Sequence, residues 1–223
     1  MENREYKKVI TYVKEWIAGG ELHSGDKLPT ERELADVLCV GRYSIREALR
    51  IMDALGMIES RQGSGNYLVT NIEKNLTESM ELMLLIKEID YSQISKLRRA
   101  IELYAYGCAL SHLTGSQLEE LAKITEDMKQ TAEHEKAILD KKFHDMIIAG
   151  SDNALIISIM GSLSNVCSNL IEEVVIGSAP ETERILMDIH ENMLKGLMEK
   201  DLLLGMQAIN QHYDLIDSQV SKP

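Results

Sequence analysis

Along most of the chain the apolar residues recur every three or four positions, the period of a helix packed on one side. From Tyr6 to Ala18 such a stripe is formed by Val9, Ile10, Val13, Trp16 and Ile17, and Gly19-Gly20 ends it. Pro29 then precedes Thr30-Glu31-Arg32-Glu33, the pattern of a capping box in which Thr30 caps a helix and Glu33 reaches back to it. That helix runs through Leu34 and Leu38 to a short turn at Cys39-Val40-Gly41. A further stripe, Ile45, Ala48, Leu49 and Met52, lasts until Gly56. Only after it does the period change: Met57-Ile58 and Tyr67-Leu68-Val69 read as short strands around Gln62-Gly63-Ser64-Gly65, a segment suited to a tight hairpin.

A supporting helix, two helices across a tight turn, and a hairpin are the parts of a winged helix-turn-helix, which places one helix in the DNA major groove. Residues 71–76 are polar, lack a stripe and read as a linker. Beyond them every strong signal is helical, over 77–86, 92–113, 116–130, 133–149, 153–175, 182–199 and 202–220. The expected fold class is mainly α: an N-terminal winged helix-turn-helix over 1–70 and a C-terminal all-α bundle of about seven helices over 77–220.

Charge divides the chain in the same place. Of its 223 residues, 1–70 hold 10 Lys/Arg against 11 Asp/Glu, while 71–223 hold 14 against 25. Phosphate repels the acidic rear part, so contact with nucleic acid is confined to the front. Cys39, Cys108 and Cys167 are far apart and in no CxxC pattern, which suggests neither a disulfide framework nor a thiolate zinc site. The N-terminus lacks a signal-peptide core, and no apolar run approaches the ~18 residues of a membrane span. A cytoplasmic protein without a membrane partner is expected.

Arg42, Arg46 and Arg50 stand at i, i+4 and i+8, on a helical face distinct from the stripe of Ile45, Ala48, Leu49 and Met52. A guanidinium there can grip guanine O6 and N7 together, while Ser44 and the turn amides can hold phosphates. Arg32 can reach a phosphate or base beside them, and the hairpin brings Arg61 and Gln62 toward a groove. The competing reading is a solvated arginine face paired with Glu47 or Asp53.

In the rear part, Asp140 and His144 are i, i+4 beside Leu139, Phe143 and Ile147. His190 lies within the stripe Leu186, Ile189, Met193, Leu194 and Leu197, and His212 sits beside Ile209, Tyr213 and Ile216. Three histidines and an aspartate thus aim at one helical core. Each alone reads as a hydrogen-bonded core residue; together, a divalent cation would satisfy all four.

The run LPTERELADVLCVGRYSIREAL, followed by GMIESRQGSGNYL, resembles the GntR family of bacterial transcription regulators. The resemblance implies a dimer on a palindromic operator, with DNA contacts from Arg32, Arg42, Arg46 and the wing-tip Gly63. Where that family usually has Ser or Thr this chain has Gly41, which removes a hydroxyl contact to phosphate. The run LDKKFHDMIIAGSDN, with His190 and His212 downstream, resembles the effector domain of the FadR-like subgroup, often called FCD. That resemblance implies a metal held by Asp140, His144, His190 and His212, with zinc, nickel and manganese undecided. LRRAIE resembles the segment whose arginine faces the effector pocket, which places Arg98 there; the plain alternative is a solvated ion pair with Glu102.

The function expected is a non-enzymatic, ligand-responsive DNA-binding regulator sensing a small carboxylate at a metal-containing pocket. Whether it acts as a repressor or an activator is not written in these residues. Two alternatives attach to the same four groups: the metal itself is the signal, or it activates water in a hydrolase with Glu172, Glu173 or Asp214 as general base.

Overall fold

The capping box at Thr30 is formed: the Glu33 amide donates to Thr30 Oγ1 at 3.3 Å, and the Thr30 amide to Glu33 Oε2 at 2.7 Å. In the computed structural model, which describes residues 5–69, 72–168 and 179–220, that box opens α2 (Glu31–Leu38), after α1 (Glu5–Ala18). Cys39 ends α2 in the left-handed region at φ 52°, a conformation costly for a side chain with a Cβ, and it turns the chain sharply into α3 (Arg42–Ala54). Gly41 is the N-cap of α3 and supplies no side-chain bond.

Val9 and Val13 of α1, Leu34 of α2, and Ile45, Ala48 and Met52 of α3 are buried together with Ile58 and Leu68 of the wing. The wing pairs β1 (Ile58–Arg61) with β2 (Gly65–Leu68), antiparallel, from Ile58↔Leu68 to Arg61↔Gly65. Its tip needs glycine twice. Gly63 has φ 73°, and Gly65, at φ 119°, would bring a Cβ within 2.9 Å of the Lys27 side chain.

The rest of the described chain is helical: α4 (Ile72–Leu85), α5 (Tyr91–His112), α6 (Gly115–Gln130), α7 (Glu133–Ala149), α8 (Ala154–Val166), α9 (Pro180–Glu199) and α10 (Leu202–Val220). Capping boxes at Asp90 and Thr114 start α5 and α6, and Asn153 caps α8. The segment expected as a linker over 71–76 is helical from Ile72, because Leu76 extends the i, i+4 series of Met80 and Leu84 backward by a turn. The helix expected over 153–175 reaches Val166; residues 169–175, with Glu172 and Glu173, lie outside the described residues.

The core of the helical part is built on Tyr106, Leu121, Phe143, Ile147, Met193, Ile209 and Tyr213. Gly205 lets the Tyr106 ring pass against α10, where a Cβ would stand 2.0 Å from it, and the Tyr106 hydroxyl donates to the Met193 carbonyl at 2.7 Å. The chain divides into two compact units, Met1–Asn75 and Leu76–Pro223. No helix among the described residues is long and apolar enough to cross a membrane.

Candidate functional site

Two chemically different sets of residues stand out, one on the surface of the front unit and one inside the rear unit. Because the apolar stripe of α3 faces inward, its other face carries Arg42, Arg46 and Arg50 into solvent. Arg46 Nε donates to Glu31 Oε2 at 2.8 Å, while Arg42 and Arg50 make no ion pair among the described residues. The pairing with Glu47 or Asp53 considered above is therefore absent at the arginines of α3. Arg32 is exposed, 3.9 Å from Asp36. Gln62 and Gly63 are exposed at the wing tip, and Arg61 stacks over the Tyr67 ring at 4.3 Å while bridging Glu59 at 2.8 Å.

Ser44 departs from expectation. It is buried, and its hydroxyl donates to Glu5 Oε2 at 2.9 Å, which ties α3 to α1. Its position four residues before Ala48 puts it on the packing side of the helix, so its side chain is not presented with the arginines. A phosphate brought to this helix start would meet backbone amides rather than the Ser44 hydroxyl.

In the rear unit α7, α9 and α10 bring His144, His190 and His212 together, with ligand nitrogens within 4.8 Å of one another, all buried. Asp140, one turn before His144, places Oδ1 3.1 Å from His190 Nε2 and 3.9 Å from His144 Nε2. The proton positions follow from the partners. His190 Nδ1 is 2.8 Å from the Leu186 carbonyl, which only accepts, so Nδ1 carries the hydrogen. His144 Nδ1 donates to Glu102 Oε1. In their neutral forms both rings turn Nε2 lone pairs toward each other at 3.3 Å, beside the Asp140 carboxylate. Although burial opposes it, the Glu102 anion makes His144 bind a proton more readily than an ordinary imidazole. Such a convergence is repulsive unless a cation, a proton or a metal ion, lies among them.

Ionisation follows the same logic. Burial opposes the Asp140 charge, but the neighbouring imidazoles hold its carboxyl well below the usual range. Burial and the other two histidines push His212 well below an ordinary imidazole, so it is neutral and available as a ligand. Its Nδ1 is buried without a hydrogen-bond partner. An orphaned imidazole nitrogen, two facing lone pairs and a carboxylate are the donor set that a borderline divalent cation takes, so the residues fit a metal.

Arg98 and Glu102 correct the solvated-pair reading: Arg98 is 8% exposed and Glu102 fully buried, and they form no ion pair with each other. The Arg98 Nε lacks a partner. Burial opposes its charge, and the Glu102 and Asp140 carboxylates, with the Tyr213 ring face 5.8 Å away, favour it. Glu102, whose burial is overcome by His144, His212 and Tyr213, is held at about 2 and accepts from the Tyr213 hydroxyl at 2.7 Å. Glu102 and Tyr213 escaped the sequence reading as part of the site. Asp214, offered as a general base, is instead exposed and bridges Arg99 at 2.7 Å, away from the histidines.

Residues 5–68 match the family described as bacterial regulatory proteins, gntR family, and residues 93–215 match the FCD domain. The chain is 28% identical to the HTH-type transcriptional regulator YcbG of Bacillus subtilis (strain 168), over 97% of this chain and 90% of that protein. It is 30% identical to the HTH-type transcriptional regulator LutR of the same organism, over 70% and 73%. A solved Streptococcus agalactiae GntR structure shares the fold, with a TM-score of 0.70, 24% identity, and 96% and 99% of the two chains covered. With both of its units matched, the chain belongs to the GntR family of bacterial transcription regulators and carries an FCD domain.

Proposed function

We propose that the protein binds a palindromic operator as a homodimer through Arg32, Arg42, Arg46 and the wing tip at Gln62 and Gly63, and that a small carboxylate sensed in the helical unit alters this binding. The observation that carries the DNA reading is the solvent-facing row of arginines on α3, whose other face is committed to the core. A guanidinium in water keeps its fork for guanine, and Arg46 gives up only an exposed ion pair with Glu31, worth about 0–1 kcal/mol.

For the helical unit, a divalent ion would be held by Asp140, His144, His190 and His212 and would offer a Lewis-acidic position for a carboxylate oxygen. Arg98, buried with an unpartnered Nε, supplies a second, charge-assisted contact to the same carboxylate. Ligand binding would then bias the spacing of two reading heads on a periodic duplex, where misplacement costs specific affinity.

The test is operator binding by the purified full-length chain. Sites recovered by genome-wide mapping should show two-fold symmetry and bind with a steep salt dependence, and Arg42→Ala should loosen base preference. Binding that is indifferent to sequence in the wild type would remove the proposal.

A further inference from the structure

We propose that Glu102 is a positioning residue of the metal centre: its carboxylate fixes the tautomer and aim of His144 on α7 and, through the Tyr213 hydroxyl, anchors that imidazole to α10. The inference rests on the metal reading above. Glu102 is fully buried, and a carboxylate in such a place is costly unless each oxygen is satisfied. Here Oε1 accepts from His144 Nδ1 and Oε2 from Tyr213 at 2.7 Å. A cationic partner sits one turn away on the same helix, yet Arg98 and Glu102 do not pair. The carboxylate is spent on the imidazole rather than on Arg98, whose guanidinium lies beside the Cys167 thiol with its Nε unpartnered.

The consequence for His144 is electronic as well as geometric. Its Nδ1 hydrogen, held by an anion, leaves Nε2 as the lone-pair atom turned toward His190 Nε2 and Asp140. An anion on the far nitrogen also raises the basicity of the ligating one, and loss of such outer partners costs metal affinity about 10–100-fold in known sites. Tyr213 strengthens the arrangement from the other side. Burial and the Glu102 charge raise its phenol well above the ordinary value, so it stays a neutral donor. It follows His212 in sequence, and Glu102 therefore links the helix of His144 to that of His212.

The experiment is a zinc titration of chelator-stripped full-length protein in competition with a chromophoric chelator, repeated with cobalt to read the ligand-field absorption. Glu102→Gln, which keeps shape and removes charge, should lower zinc affinity about 10-fold, and Glu102→Leu toward 100-fold. Tyr213→Phe should cost a few-fold by the same outer-shell logic. The Leu variant should shift the cobalt spectrum, and because it leaves the His144 Nδ1–H and the Tyr213 hydroxyl buried without an acceptor, its metal-free melting temperature should fall as well. The discriminating variant is therefore Gln, which should lower zinc affinity and shift the cobalt spectrum with little change in the metal-free midpoint. A merely structural role would lower the metal-free midpoint of both variants and leave the Gln variant's zinc affinity and cobalt spectrum as in wild type. If the wild type binds metal and the Gln and Phe variants bind it equally well, the inference about Glu102 is overturned and the metal reading survives. A wild type that takes up neither ion overturns both.

Discussion

Arg46 and Arg98 show how differently the two units treat the same side chain. Arg46 lies on the surface of α3, its Nε on Glu31, in water that screens the pair and lets it exchange. Arg98 is buried in α5 with an unpartnered Nε, its charge opposed by burial and supported by the Glu102 and Asp140 carboxylates and the Tyr213 ring face 5.8 Å away. The first can trade partners cheaply, which would suit the exchange of one anion for another that the proposed DNA contact requires. The second is already desolvated, so an incoming anion gains most of its attraction without stripping water from the arginine. Under the proposed function, a reading head and a sensor would be separable by where the charge sits before any ligand arrives.

That contrast can be broken most forcefully at the metal. If the four buried groups hold a divalent ion, removing it with chelator should lower the stability of the helical unit by about 4 kcal/mol relative to protein at a thousandfold excess of metal over its dissociation constant. Calorimetric scans with and without zinc read this directly. A melting profile indifferent to both additions would make Asp140 and the histidines a packed polar core.

Next in size is Arg98→Met, which should abolish carboxylate-induced thermal shifts across a panel of small organic acids. The expected loss is about 2–5 kcal/mol of binding, with zinc content unchanged. Arg98→Lys should rescue poorly, because an ammonium lacks the planar fork. Undiminished shifts in the Met variant would move the anion site elsewhere.

On the surface side, Arg42→Ala and Arg46→Ala should each cost about 1–3 kcal/mol in operator affinity and relax base preference while leaving metal affinity alone. Fluorescence anisotropy on matched and scrambled duplexes separates the two effects. Glu31→Gln should do least: freeing Arg46 from an exposed pair should strengthen non-specific DNA binding by no more than about 1 kcal/mol. Weaker binding in that variant would mean instead that Glu31 holds the guanidinium in its reading position.

The fold was largely legible because its signals are local. The stripe of Ile45, Ala48, Leu49 and Met52 and the Thr30-Glu33 spacing act within a turn or two, and the structure contains both. The start of α4 was missed because a single residue, Leu76, carries the stripe through polar neighbours. Ser44 was misplaced by its chemistry, although its i, i+4 relation to Ala48 marks the packing face. Arg98 and Glu102 share that lesson. They fall on the series Ile94, Arg98, Glu102, Ala105, Ala109, all buried, but two opposite charges four apart look like a surface pair. Periodicity placed them inside; their identity argued otherwise. What no local pattern supplies is the Tyr213–Glu102–His144 connection, made by residues 111 and 42 positions apart.

The most direct test of the account is selection from a random double-stranded library by the full-length chain, with the Arg42→Ala/Arg46→Ala double variant alongside. The account predicts enrichment of a two-fold-symmetric sequence by the wild type and its loss in the variant. Equal enrichment by both, or none by the wild type, would contradict it.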